Sequence, residues 1–246
     1  MSSNPPNDPP PPSRAAIFFA GWRAAWTSVF GLVLIGTFVG VGALAHEYGF
    51  SVGWVLLSTL LIWAAPAQVI LLSALGAGAT PFEAALAVSL SGVRLLPMVV
   101  TLLALIKRPD TKPRELILPA HLTAVSMWVE ALRLVPTLPR AQRITFCNGL
   151  GIAFMVAAQG GGLMGFYLAA SLPALLTAGL LFLTPMSFLV STARNARVLV
   201  DRLALALGLM LGPLLAYGQV GLDVLWTGII GGTCAYGIHR WRGALR

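Results

Sequence analysis

Residues 144–193, ITFCNGLGIAFMVAAQGGGLMGFYLAASLPALLTAGLLFLTPMSFLVSTA, contain no Asp, Glu, Lys, Arg or His. A helix that crosses the hydrocarbon core needs about 20 apolar residues, so this stretch is long enough for two crossings. Similar charge-free stretches occupy residues 24–45, 48–82 and 203–222. They lack the alternating polarity of barrel strands, and a helix satisfies its own backbone in lipid. The pattern therefore predicts membrane-spanning α-helices.

The composition of the whole chain indicates the same solvent. Of the 246 residues, 57% are hydrophobic and 10% are charged, against roughly 25% charged residues in average soluble domains. The net charge of +8 comes from Arg and Lys in short connections, where they orient helices rather than bind nucleic acid. The sequence contains no P-loop, GxSxG, HExxH or paired-cysteine motif, so we expect no enzyme, metal site or cofactor. The predicted fold is an all-α, polytopic transmembrane helix bundle with an internal repeat and proline-broken helices.

The chain divides into a tail and one domain. Residues 1–13 are Pro-rich, which prevents helix formation and predicts a disordered cytoplasmic tail. Residues 14–240 form the predicted single transmembrane domain. We expect its first part, residues 14–26, to lie at the membrane interface as a lead-in helix with Arg14 and Arg23 near the headgroups.

The apolar segments do not fit a bundle of straight crossings. They lie at about 27–45, 52–75, 81–106, 118–135, 144–165, 167–193, 203–218 and 222–238. The positive-inside rule places the basic connections 107–115, 133–143 and 194–202 together in the cytoplasm. However, three segments lie between Arg23 and the first connection, and one lies between the first and the second connection. An odd number of straight crossings would place these basic groups on opposite sides of the membrane. Either one basic loop lies outside or some segments are re-entrant, with 52–75 the best candidate because it contains Pro66. The predicted crossing number is six to eight.

An internal repeat is indicated at an offset of 119 residues, with halves at about 14–107 and 140–240. At this offset Ala- and Leu-rich segments align, and Pro66 aligns with Pro185. Interrupted hydrophobic segments in corresponding halves are the best sequence pointer to the binding site of a transporter.

Polar groups inside the apolar segments are candidates for substrate contact. Pro66 frees a backbone carbonyl and Gln68 adds an amide at the same depth; a packing kink with Gln68 bonded across a helix pair explains them equally well. Ser91 and Arg94 lie in a later apolar segment. A guanidinium there faces the interior and is able to bind a carboxylate, whereas the alternative is a structural contact with helix-end carbonyls.

Segment 118–135 contains His121, Thr123 and Glu130. Both His121 and Glu130 are chemically able to carry a coupling proton. Both also lie near the ends of the segment, so we favour the interpretation that their side chains reach the membrane interface.

The order of short motifs resembles the AzlC-type branched-chain amino acid permeases. Seven elements follow one another along the chain: a Gly-rich helix at 36–45, HEYG at 46–49, AAPAQ at 64–68, GAGA at 76–79, GVRL at 92–95, a second Gly-rich helix at 149–165 and LLFLTP at 180–185. The resemblance covers most of residues 17–240 and depends on the ordered series rather than on one specific motif. The chain departs from the family pattern where a signature Asn and His become Gly92 and Leu95, and where two expected acids become Ala124 and Val125.

The resemblance implies efflux of branched-chain or other small hydrophobic amino acids by alternating access, in a multi-pass protein of the bacterial inner membrane. It also implies a small AzlD-like membrane subunit as partner. The alternative is a non-transporting membrane scaffold or assembly subunit. Interruptions at Pro66 and Pro185 are expected to surround a midplane site. The expected substrate-binding residues are Pro66, Ala67, Gln68, Ser91, Arg94, Thr123, Thr184 and Pro185.

Overall fold

The computed structural model describes residues 12–173, 198–218 and 223–244, together with isolated positions between 174 and 197. These residues form α1 (Arg14–Thr27), α2 (Val29–Glu47), α3 (Val52–Leu61), α4 (Ala65–Gly76), α5 (Pro81–Gly92), α6 (Leu96–Ile106), α7 (Pro113–His121), α8 (Val125–Leu134), α9 (Arg140–Ser171), α10 (Leu199–Tyr217) and α11 (Asp223–Ala244). Short 3₁₀ turns follow α5 at Val93–Leu95 and α8 at Val135–Thr137. The predicted all-α class is confirmed. Most of the predicted tail, residues 1–13, lies outside the described residues.

The candidate membrane spans differ in length from four of the other described helices. Four stretches are long and apolar enough to cross a membrane, namely Val29–Glu47, Pro81–Ile106, Arg140–Ser171 and Leu199–Tyr217. In contrast, α3, α4, α7 and α8 contain 10, 12, 9 and 10 residues, about half of what one crossing requires. Each of these short helices is therefore too short to cross the membrane alone.

The long helix α9 runs parallel to α2. Gly161 faces Ile35, and four residues later Gly165 faces Val39 four residues further along α2. A Cβ added to Gly165 would overlap the main chain of Val39, so the two backbones pack at the distance that only glycine permits. Contacts that advance in the same direction along both helices define a parallel pair.

The first helix, α1, also packs on α9. A Cβ added at Gly21 would overlap the main chain of Phe146, and one added at Gly149 would overlap that of Phe18. The predicted interfacial position of residues 14–26 stays a prediction; in the structure these paired glycines dock α1 on α9. Together α1 and α2 form a long kinked element along one side of α9.

The helices α3 and α4 form a hairpin that returns to the side on which it begins. Gln68 Nε2 donates to the hydroxyls of Ser58 and Thr59, each at 2.9 Å. In one continuous helix, residues nine or ten positions apart would be separated by about 13–15 Å along the axis. At the end of α4, Gly76 lies against the ring of Tyr48, the C-cap of α2. Both ends of the hairpin therefore lie near the C-terminus of α2.

A second hairpin, α7 and α8, enters from the opposite side. Arg143 in the first turn of α9 donates to the carbonyls of Leu105 at the end of α6 and of Leu138, at 2.9 and 3.0 Å. The end of α6 and the start of α9 therefore lie together. Because α7 and α8 connect these two points through residues 107–112 and 135–139, this hairpin also returns to its starting side.

The two hairpins remove the conflict between charge and crossing number. Segment 52–75, the best candidate for a re-entrant segment, is broken and returns on itself, and segment 118–135 does the same. With both segments returning, the basic connections 107–115 and 133–143 lie at the same end of the bundle as the start of α1. The positive-inside rule then holds for α2, for α5 with α6, and for α9.

Site-directed labelling tests this topology. In a variant without Cys147 and Cys234, we expect single cysteines that replace Lys112 and Thr137 to react with an impermeant maleimide from one face of the membrane. A cysteine that replaces Ala77 should react from the other face. All three positions are exposed. Labelling of Lys112→Cys and Thr137→Cys from opposite faces would show that α7 and α8 cross the membrane.

The glycine contacts generate a prediction about stability. Gly165→Ala places a methyl group against the main chain of Val39 and should destabilise the bundle by about 1–3 kcal/mol, as overpacking does in cores. Gly160→Ala is the matched control on the same helix, because its Cβ would meet no described atom within 4 Å. Chemical unfolding in mixed micelles measures the difference, and equal stability of the two variants would contradict the packing described.

Candidate functional site

The first helix break lies at residues 62–64. The Ala64 N–H bonds to the nearby carbonyl of Ile62 instead of that of Leu60, so the Leu60 carbonyl loses its helical partner. Pro66 lies in the first turn of α4, where a missing N–H costs nothing. The sequence predicted an interruption at Pro66; the structure places it just before that residue.

The second helix break lies at residues 122–124, between α7 and α8. The hydroxyl of Thr123 donates to the carbonyl of Pro119 at 2.6 Å, closing the end of α7. The Leu122 carbonyl has no helical partner, since α8 begins only at Val125. This break was not predicted from the sequence, because no proline follows it. The odd number of segments between basic connections was the one signal that pointed to it.

The two breaks contact each other through reciprocal hydrogen bonds. Trp63 Nε1 in the first break donates to the carbonyl of Leu122 in the second, at 2.6 Å. His121 Nε2 next to the second break lies 2.8 Å from the carbonyl of Leu60. Each hairpin therefore supplies the donor for a carbonyl that the break in the other hairpin leaves free.

A cavity of about 220 Å³ lies where the breaks meet. Its lining residues come from both breaks and from the α5–α6 helix: Leu61, Ile62, Trp63, Ala64, Ala67, Val88, Gly92, Leu95, Val99, Ala120, His121 and Thr123. Most of these side chains are aliphatic or small. A second cavity, of about 330 Å³, lies between α4 and α5. Its described lining includes one residue of the first break, Ile62, and one polar side chain, Ser89, so the cavity at both breaks is the better candidate site.

The second helix of each hairpin, α4 or α8, begins at a break, so its positive end lies in the middle of the bundle. The N-cap residues of α4 and α8 are Ala64 and Ala124, and no described side chain caps either helix. The N–H groups in the first turn of a helix have no intrahelical partner, and the helix dipole makes this end positive. The first turns of α4 and α8 are therefore favourable for a negatively charged group, whereas the ends of α3 and α7 at the same breaks are negative.

Three predicted site residues come together at the first break. Ala67 lines the cavity and Pro66 precedes it in the same turn. Gln68 is 1% exposed, and its Nε2 is bonded within its own hairpin, to Ser58 and Thr59. Its Oε1 has no hydrogen-bond partner among the described residues, which leaves one buried acceptor at this depth.

The remaining predicted residues have different positions. Thr123 lines the cavity from the second break. Ser91 is half-buried and does not line the cavity, whereas the exposed Arg94 lies in the 3₁₀ turn between α5 and α6. Among the described residues Arg94 has no ion-pair partner. Thr184 and Pro185 lie outside the described residues.

The expectation that Glu130 reaches the membrane interface was wrong, because its side chain is buried, whereas that for the exposed His121 stays a prediction. The break of segment 118–135 brings His121 to the cavity between the hairpins. Glu130 is 2% exposed, and its carboxylate is bound by the exposed guanidinium of Arg133 one turn later on α8. A buried carboxylate in such a bundle is unfavourable unless it is paired, so Arg133 allows Glu130 to remain inside.

Four stretches that are long and apolar enough to cross a membrane indicate a polytopic membrane protein, and a half-open cavity between broken helices is typical of secondary transporters. The profile of the AzlC protein family matches residues 29–172, more than half of the chain, from the start of α2 to the end of α9. The chain therefore belongs to the AzlC family of branched-chain amino acid permeases, which is associated with membrane amino acid transport. No curated protein and no solved structure matches the chain.

Removal of one reciprocal hydrogen bond tests the contact between the hairpins. Trp63→Phe keeps an aromatic ring but leaves the Leu122 carbonyl unpaired in a dry environment, which should cost about 1–3 kcal/mol. Trp54→Phe is the control, because Trp54 stacks on Phe50 and its Nε1 has no described partner. Unfolding in mixed micelles provides the comparison, and equal losses in both variants would count against a role for this bond.

Proposed function

We propose that this protein exports branched-chain or other small hydrophobic amino acids across the bacterial inner membrane, using the cavity between the two helix breaks. The observation that carries the proposal is the apolar cavity at the meeting point of both hairpins. Membership of the AzlC family supports the chemical class of the substrate.

The size and lining of the cavity fit an aliphatic amino acid. Its volume of about 220 Å³ is below the roughly 300–1,000 Å³ of sites for drug-sized ligands. Ile62, Val88 and Leu95 supply apolar surface to a branched side chain. A substrate with a large polar side chain would lose its water there without gaining partners.

The carboxylate of the substrate is directed by the uncapped helix starts. Unpaired N–H groups at the starts of α4 and α8 would donate hydrogen bonds to it, in the way that broken helices of transporters bind anionic groups. Arg94 follows the cavity-lining Gly92 by two residues, and we assign it the attraction of the carboxylate during entry. Gln68 and Pro66 shape the first break, while Thr123 shapes the second.

Alternating access follows from the contact between the hairpins. The hairpins enter from opposite sides, so separation of their tips on one side or the other would expose the cavity to one compartment at a time. The predicted roles of Thr184 and Pro185, and of an AzlD-like small membrane subunit as partner, are part of this proposal.

Flux through proteoliposomes tests the function. Liposomes that contain the chain, with and without a co-expressed small subunit, are expected to transport labelled leucine and valine. Gly92→Leu should lower this flux about tenfold or more, the equivalent of about 1.4 kcal/mol of lost binding, because Gly92 lines the cavity and its added Cβ would point into open space.

Gly160→Leu is the matched control for Gly92→Leu. Gly160 is exposed, lies outside the cavity lining and has no described atom within 4 Å of an added Cβ. Absence of flux for every solute, with or without the small subunit, would favour a non-transporting scaffold or assembly subunit. Flux that survives Gly92→Leu would retain the transporter and reject this cavity.

A further inference from the structure

The cavity has few polar side chains, and most of them already have partners. Trp63 Nε1 donates to Leu122 and the Thr123 hydroxyl donates to Pro119. Among the described lining residues there is no Asp or Glu. His121 is the one titratable side chain in the described lining. An amino acid that enters this cavity thus finds no carboxylate for its ammonium group.

The hydrogen bond of His121 fixes the position of its proton. A backbone carbonyl only accepts hydrogen bonds, so the Leu60 carbonyl 2.8 Å from Nε2 requires a proton on Nε2. In the neutral imidazole the other nitrogen, Nδ1, then carries a lone pair. Nδ1 has no hydrogen-bond partner among the described residues, and the exposed ring forms part of the wall of this half-open cavity.

From this geometry we infer that His121 binds the α-ammonium group of the substrate through Nδ1, while its Nε2 holds the two hairpins together. The Thr123 oxygen, whose proton is donated to Pro119, offers a second acceptor on the same wall. An ammonium group needs acceptors of this kind when it leaves water. The inference rests on the proposed function, because it assigns a specificity residue to the same cavity.

One residue therefore has two separable roles. The ammonium contact makes the cavity prefer an amino acid to the matching 2-oxo acid, which has the same aliphatic chain and carboxylate but no amino group. The Leu60 contact contributes to the stability of the bundle. Each role depends on a different ring nitrogen, so substitutions that retain one nitrogen position at a time can separate them.

The experiment uses His121→Gln and His121→Asn in the full chain. The amide nitrogen of Gln reaches the position of Nε2 and retains the donor to Leu60, but it leaves no acceptor at the position of Nδ1. The shorter Asn places an amide oxygen near the position of Nδ1 and does not reach Leu60. Competition of unlabelled leucine and of its 2-oxo acid against labelled leucine measures the preference, and thermal unfolding in detergent measures stability.

For the wild type we expect leucine to compete about tenfold better than the 2-oxo acid, which corresponds to about 1.4 kcal/mol. His121→Gln should lose this preference and keep the unfolding temperature, whereas His121→Asn should keep the preference and unfold at a lower temperature. A preference that persists in His121→Gln overturns the inference and leaves the proposed function intact. A wild-type protein that binds and transports no amino acid overturns both.

Discussion

Hydrocarbon offers no hydrogen bonds to a peptide group, and this constraint determines how the broken helices are arranged. Breaks at residues 62–64 and 122–124 free the carbonyls of Leu60 and Leu122 from their helical partners. Each carbonyl accepts a hydrogen bond from a ring N–H of the opposite break, from His121 and Trp63 respectively. Irregular backbone is tolerated at membrane depth only where protein or a cavity surrounds it, so each hairpin requires the other.

The remaining described helices support this contact. Glycines dock α1 and α2 along α9 with the backbones touching, which gives a continuous wall at the back of the hairpins. Trp63 stacks on Phe38 of α2 with ring centroids 6.2 Å apart, and Gln159 of α9 donates to the carbonyl of Leu56 at 3.0 Å. The first hairpin is therefore held by side chains from α2 and α9, and the cavity opens on its other side, towards α5 and α6.

Much of the fold could be predicted from sequence, because apolar stretches and their charges follow directly from the cost of burying charge in lipid. The break near Pro66 was predictable because proline cannot continue a helix there. The break at residues 122–124 has no such residue, and its polar neighbours resembled interfacial side chains. The cavity depends on contacts between residues about 60 positions apart, such as Trp63 with Leu122. No pattern in a single sequence reports such pairs, so Trp63 was not singled out, and His121 was expected at the interface rather than in the cavity lining.

The mutual dependence of the hairpins also affects how the protein is made. The two breaks lie 60 positions apart along the chain, and ribosomes synthesise about 5–20 residues per second during translation. The first hairpin therefore leaves the ribosome several seconds before the second. During that interval the Leu60 carbonyl lacks the imidazole that later pairs with it. Biogenesis must hold the first hairpin in a hydrated channel, an insertase or a transient fold until its counterpart emerges.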